Sequence, residues 1–253
     1  TSTITVCCAT DGNHGRSVAW GAQNFGCNCE IYIHRHVSQA REEAIAKFGA
    51  KVNRIEGNYD DSVRLAAEVA EEKGYYVVSD TSYEGYTEIP KDVMQGYTLM
   101  AAEAIEQLPA NQTPTHLFLQ AGVGGMAAAM VAGIARYLEN VPKIIVVEPE
   151  SAACVLESIQ VGKIKKISIK KESLMGGMSC GEVSLVPWQI LKNSVNYCVT
   201  VSDDYISKTV KFLANCKFSD EKIIGGECST PGIISLIGLC NDDVIRKKMN
   251  LNE

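Results

Sequence analysis

Two short runs in this sequence gather residue types that hold anions and move protons. In GVGGM (122–126) three glycines fall within four residues, between a β-rich apolar run and an alanine-rich one. Glycines there let successive peptide N–H groups converge on an anion, and the start of the following helix adds favourable partial charge. Gly122, Val123, Gly124, Gly125 and Met126 therefore read as a phosphate cradle. The plainer reading is a tight strand-to-helix turn. Gly122, Gly124 and Ala127 also fit the dinucleotide form G-x-G-x-x-A, with Glu148 ending the next strand where a ribose-binding acid would lie. The same residues thus admit an NAD-binding oxidoreductase.

The second run is DGNHG (11–15), at the end of the first apolar run. Asp11 can accept a proton, and the Asn13 amide can bond a ligand hydroxyl or phenolate. The plainer reading makes Asp11 a helix cap, Asn13 a left-handed turn residue and His14 a solvated loop residue. Asp80 closes the fourth apolar run. If that strand neighbours the first, Asp80 faces the same crevice as Asp11. Two carboxylates and a phosphate cradle at one sheet edge suit proton transfer, although Asp80 alone reads as a strand-end turn residue.

The elements that must position these residues alternate strand and helix. Strands are expected at 4–10, 29–35, 51–56, 75–80, 116–121 and 143–150. A helix follows DGNHG at 16–26, and Ser38 caps another that Gly49 stops. Asp60 or Asp61 caps a third, ending at Gly74, and a long helix covers about 91–108. Beyond 150 the pattern is less regular: a lysine-rich segment, the glycine turn MGGMSCGE, then two or three helices. Alternation with short turns implies an α/β fold of open parallel sheets with helices on both faces. Ligands bind such sheets beyond the strands' C-terminal ends, where both runs fall. The expected division is a small lobe, 1–86, and a larger one, 87–253.

Composition narrows the function. A formal charge of −6 and a pI near 5.4 argue against nucleic acid or an anionic membrane as partner. No apolar run reaches the length of a membrane span, and the start TSTITVCCAT has no basic signal-peptide region. The ten cysteines form no C-x-x-C pair and no His stands at zinc-ligand spacing, so no metal site is expected. They read as reduced thiols of a cytoplasmic protein. KIKKISIKK (163–171) reads as a solvated ribbon, and His34 and His36 as surface residues. Cys154 and Cys180 read as buried thiols near the site, and Tyr83 and Tyr86 as aromatic packing at the lobe boundary.

With DGNHG and GVGGM together, the chain resembles the fold-type II pyridoxal-phosphate enzymes. Within them, ATDGNHGR (9–16) resembles the diaminopropionate ammonia-lyase family. The agreement continues through NYDDSVRLA (58–66), SDTSYEGYTEIP (79–90), MQGY (94–97), PTHLFLQAGVGGMA (114–127), IIVVEPE (144–150) and MSCGE (178–182). The resemblance implies pyridoxal phosphate as cofactor, a small amino-acid substrate, and β-elimination of 2,3-diaminopropionate to pyruvate and two ammonia. It makes Asp11 and Asp80 the bases for the Cα proton and Asn13 the contact to the cofactor's ring hydroxyl. It gives Gly122 to Met126 to its phosphate, and it suggests a homodimer. Asp at position 11, where the related dehydratases carry Ser, suits a substrate with a second cation.

The chain also departs from the family. The Schiff-base lysine of these enzymes precedes the strand leading into DGNHG, and no lysine here stands in that context. The family pattern also runs on past the final LNE, and GGECSTPG (225–232) interrupts its Gly-Glu-Ser-Gly run, which leaves Glu227 without a carried-over role. A fragment lacking the lysine segment and the C-terminal end is expected not to turn over. A serine or threonine dehydratase, and a lobe that binds the cofactor or phosphate without chemistry, stand as alternatives.

Overall fold

The computed structural model describes residues 3–10, 12–110, 112–216 and 221–251, and the side chain of Asp60 is not described. Asp11 therefore lies outside the described residues. The chain divides into two compact units, one ending at Asp80 and one starting at Thr81. Ser82, Tyr83 and Tyr86 belong to the second.

The first unit is a four-stranded parallel sheet of β1 (Thr5–Ala9), β2 (Asn28–His34), β3 (Lys51–Ile55) and β4 (Tyr76–Val77), in the order β3-β2-β1-β4. Its strands alternate between two cores. Cys8, Ile31 and Ile33 pack with Ala19 and Ala22 of α1 (Asn13–Phe25) and Ile45 of α2 (Gln39–Ala46). Cys7 and Tyr32 face Ala66 and Ala70 of α3 (Tyr59–Lys73). Helices thus cover both faces, as a parallel sheet requires.

Three local expectations change here. Helix α1 begins at Asn13 rather than 16, so Asn13, His14 and Gly15 form its first turn and Asn13 is helical. Helix α3 is capped by Asn58, not by Asp60 or Asp61. The Asn58 side chain accepts from the Asp61 N–H at 3.0 Å, and Asp61 reaches back to the Asn58 N–H at 2.8 Å. That reciprocal box needs its acid three residues into the helix, so Asp61 fills the partner position. Strand β4 pairs over only two residues, the Val78 N–H still donating to the Cys7 carbonyl at 2.8 Å, which leaves Ser79 and Asp80 past the ladder.

The second unit holds a three-stranded parallel sheet, β5 (His116–Gln120), β6 (Lys143–Pro149) and β7 (Val195–Val201), with β6 central. Ile144 and Val146 face a core built with Met94 of α4 (Glu88–Glu106), Ala127, Ala128 and Val131 of α5 (Gly125–Ile134), Val155 of α6 (Cys154–Val161), and Trp188 and Leu191 of α7 (Leu185–Ser194). Ile145 and Val147 face Met175, Met178, Val201, and Ile206 of α8 (Ile206–Ala214). Each fully buried aliphatic side chain contributes about 1.5–3 kcal/mol. Helices α9 (Pro231–Cys240) and α10 (Asp243–Met249) complete the described chain. The described residues after 183 therefore hold four α-helices and a strand, where two or three helices are expected. Strand β7 escapes notice because Val195, the C-cap of α7, is already its first residue. No Gly or Pro marks the change of period. No helix among the described residues is long and apolar enough to cross a membrane.

Candidate cofactor site

Strand β5 ends at Gln120, the Ala121 N–H pairs with the Val147 carbonyl at 3.0 Å, and the chain then turns through Gly122, Val123 and Gly124 into α5. The turn is pinned from outside, one carbonyl at a time. The Cys154 thiol donates to the Gly122 carbonyl at 3.5 Å, the Ser184 N–H donates to the Val123 carbonyl at 2.9 Å, and the Ala128 N–H donates to the Gly124 carbonyl at 2.9 Å. In a trans peptide the N–H points opposite its C=O, and no peptide bond among the described residues is cis. Fixing three carbonyls therefore turns the N–H groups of Val123, Gly124 and Gly125 the other way. Among the described residues these N–H groups donate to no protein acceptor. They open onto the start of α5, whose first turn leaves its N–H groups unpaired by construction.

Two glycines are demanded by space and backbone. A Cβ on Gly122 would lie 2.8 Å from the Gly177 carbonyl oxygen and 2.9 Å from the Cys180 sulfur. Gly124 sits at φ +93°, and a Cβ there would meet Leu191 Cδ1 at 2.9 Å. The loop is thus a small-residue cradle with converging donors, which suits a phosphate group. The structure brings together all five residues assigned to it.

The carbonyl of Val123 is held by an arrangement the sequence reading misses. Ser82 and Ser184, both buried, exchange bonds across the unit. The Ser184 hydroxyl accepts from the Ser82 N–H at 2.7 Å, the two hydroxyls lie 2.6 Å apart, and the Ser82 hydroxyl accepts from the Val186 N–H at 2.8 Å. Ser82 thereby caps α7 in place of its own N-cap residue, Ser184. The available signal was Ser184 ahead of LVPW, a helix start with Pro in the first turn. Ser82→Ala leaves a buried N–H and hydroxyl unpaired and lowers stability by about 2 kcal/mol. An unchanged urea midpoint sinks that assignment.

Glu148 is fully buried, and both its oxygens are used. They accept from the Val155 N–H at 2.7 Å and the Leu156 N–H at 2.8 Å, in the first turn of α6. It cannot also hold a ribose hydroxyl, so the dinucleotide reading of Gly122 to Ala127 with Glu148 is corrected here. Burial pushes the Glu148 carboxyl up from 4.5 to about 7, although the two N–H bonds act to lower it. The unfolded carboxyl ionises near 4.5 while the folded one keeps its proton until about 7, so this group's stabilisation is complete below 4.5 and lost as pH rises to 7. The loss is on the order of 3 kcal/mol. Glu148→Gln removes that slope, and parallel curves of urea midpoint against pH for the two proteins refute it.

In the first unit, the Thr10 hydroxyl accepts from the Gly12 and Gly15 N–H groups at 3.0 and 3.1 Å, a capping contact at the start of α1. Asn13 is exposed at the first residue of α1. His14 is not a solvated loop residue. Its Nε2 lies 2.7 Å from the Val78 carbonyl and ties the start of α1 to the segment bearing Asp80. Strands β1 and β4 pair in parallel, so Asn13 and Asp80 share the C-terminal edge of that sheet. Burial, with smaller contributions from Cys29, Cys7 and then Asp80, pushes the Cys8 thiol well up, which puts the Asp80 carboxylate within electrostatic reach of β1.

The sequence profile of the pyridoxal-phosphate dependent enzymes matches residues 1–232. The chain belongs to that family. Membership makes pyridoxal phosphate its cofactor, and the pinned cradle at 122–126 fits the phosphate of that group. Among curated relatives, the diaminopropionate ammonia-lyase of Escherichia coli K12 is 40% identical over 236 residues, covering 91% of this chain and 58% of its own length. The holo diaminopropionate ammonia lyase structure from Escherichia coli superposes with a TM-score of 0.90 at 38% identity, over 99% of this chain and 64% of that one. The same TM-score, identity and coverage hold for the structure of that lyase in complex with D-serine. The fold-type II architecture is thereby established for this pyridoxal-phosphate family member, which spans about three fifths of the relatives it matches.

Proposed function

We propose that this pyridoxal-phosphate enzyme chain belongs to a diaminopropionate ammonia-lyase, eliminating ammonia from 2,3-diaminopropionate and yielding pyruvate and a second ammonia. The observation that carries the reading is 40% identity to such a lyase over 91% of the chain, with Asp at both 11 and 80. When bound, the cofactor supplies an electron sink for the carbon that loses its proton.

The chain's own residues do the rest. The N–H groups of Gly122 to Met126 hold the phosphate, and the Asn13 amide bonds the ring hydroxyl. Asp11 and Asp80 accept the Cα proton and favour a substrate with a second ammonium. The β-amine leaves with the bonding electrons, and the released enamine hydrolyses to pyruvate. These 253 residues alone do not turn over, since none of their lysines stands in the family's Schiff-base context. The lysine-bearing protein works as a cytoplasmic homodimer. Family membership supports the dimer, and ten cysteines kept as thiols rather than disulfides support the compartment.

The test measures pyruvate from 2,3-diaminopropionate, serine and threonine with pyridoxal phosphate added. It compares this chain with the same chain preceded by the family's lysine segment. Turnover of the diamine by the longer protein alone supports the reading. Preference for serine or threonine makes the protein a dehydratase of the same fold. Silence on all three leaves a lobe that binds without chemistry.

A further inference from the structure

The supports of the cradle do not end at its own carbonyls. The Gly122 carbonyl is held by the Cys154 thiol, and Cys154 is the first residue of α6. The direction of that bond is fixed, because burial above all pushes the Cys154 thiol far up and keeps it protonated, so it donates. What fixes Cys154 is the first turn of α6. Its next two N–H groups, on Val155 and Leu156, end on the two oxygens of Glu148. Glu148 follows Val147, whose backbone pairs with β5 at Gln120 and Ala121, so the same short stretch of β6 borders the cradle directly. Around the carboxylate stand Cys154 and Glu157 of α6 and Cys198 of β7, and none of them is a cation. The helix N–H groups are its main partners, with the Cys154 thiol as a further hydrogen-bonding neighbour.

We propose that Glu148 is a positioning residue of the phosphate cradle: it locks the first turn of α6, which seats the Cys154 thiol on the Gly122 carbonyl and keeps the Val123 N–H turned toward the anion. The proposal rests on reading 122–126 as the phosphate site. Glu148→Gln has nearly the same shape but offers one acceptor and one donor to two N–H groups, so one bond is lost and a donor faces a donor. Cys154→Ala removes the next link, whereas Cys154→Ser keeps a hydroxyl donor there.

The experiment titrates the full chain with pyridoxal phosphate and, separately, with pyridoxal, which lacks the phosphate, following ligand absorbance and protein fluorescence. Wild type binds pyridoxal phosphate more tightly than pyridoxal. In Glu148→Gln the affinity for pyridoxal phosphate falls about tenfold, the scale of one charge-assisted bond partly transmitted through its supports, and that for pyridoxal stays within about twofold. Cys154→Ala shifts in the same direction and Cys154→Ser recovers most of the loss, which keeps the test open should Glu148→Gln fold poorly. Equal losses for both ligands, or none, overturn the positioning role while leaving the cradle in place. A wild-type chain that binds the two ligands alike overturns the cradle, and this inference with it.

Discussion

In the lysine-bearing protein, Asp11→Asn is expected to lower pyruvate formation from 2,3-diaminopropionate by about a hundredfold to ten-thousandfold, the cost of losing the general base proposed at this residue. Asparagine keeps the size and turn preference of aspartate and removes only the proton-accepting charge. The Thr10 hydroxyl holds the N–H groups of Gly12 and Gly15, an anchor that the substitution leaves in place. Stability therefore stays within about 0.5 kcal/mol. Asp80→Asn gives a rate loss of similar size. Asp11 and Asp80 come from different strand ends, and if they serve opposite faces of Cα each variant loses one enantiomer of the substrate and spares the other. Following D- and L-2,3-diaminopropionate separately decides this. Full turnover of both enantiomers by Asp11→Asn removes that residue from the mechanism.

How much of this was legible depended on whether the signal was local. Strands β1 to β3 and the Ser38 cap are legible directly, because apolar runs end at turn residues and Ser38 accepts from the Arg41 N–H within its own helix. The Asn58 box escapes a sequence reading by a residue or two because NYDD offers three side chains able to cap, and only the reciprocal geometry chooses among them. Strand β7 was hidden for the opposite reason: no breaker separates it from α7.

The site divides the same way. Gly122 and Gly124 were visible because glycine in a strand-to-helix turn has few reasons to be there. Their supports were not. Ser82 and Ser184 are 102 residues apart, and nothing in either neighbourhood announces the other. Glu148 was noticed for its place at a strand end, but the sequence cannot say whether a strand-end acid faces a ligand or a helix terminus. Burial decides it: a carboxylate with no exposed surface and two N–H partners is committed to the protein. The role of His14 is hidden likewise, since its partner is a backbone carbonyl 64 residues away.

The glycines of the cradle separate folding from binding. Gly122→Ala places a methyl 2.8 Å from the Gly177 carbonyl oxygen and 2.9 Å from the Cys180 sulfur. The first of these is backbone and cannot rotate away, so one of the two peptide segments must shift. The Gly122 carbonyl then leaves the Cys154 thiol, and the N–H groups of the turn lose their common aim. A displacement on the order of 1 Å is worth about a hundredfold, and that is the expected loss of affinity for pyridoxal phosphate. Gly124→Ala acts on the fold instead, since alanine at φ +93° is strained and its methyl meets the buried Leu191. Its stability falls by about 2–4 kcal/mol. Gly96→Ala is the control: it lies within α4 with no atom within 4 Å of the added methyl, so it gains about 0.5–1 kcal/mol and binds as before. Titration with pyridoxal phosphate beside urea unfolding reads all three. Wild-type affinity in Gly122→Ala would mean that the carbonyl of Gly122 does not orient the cradle, and the case for a phosphate at 122–126 would lose its geometric basis.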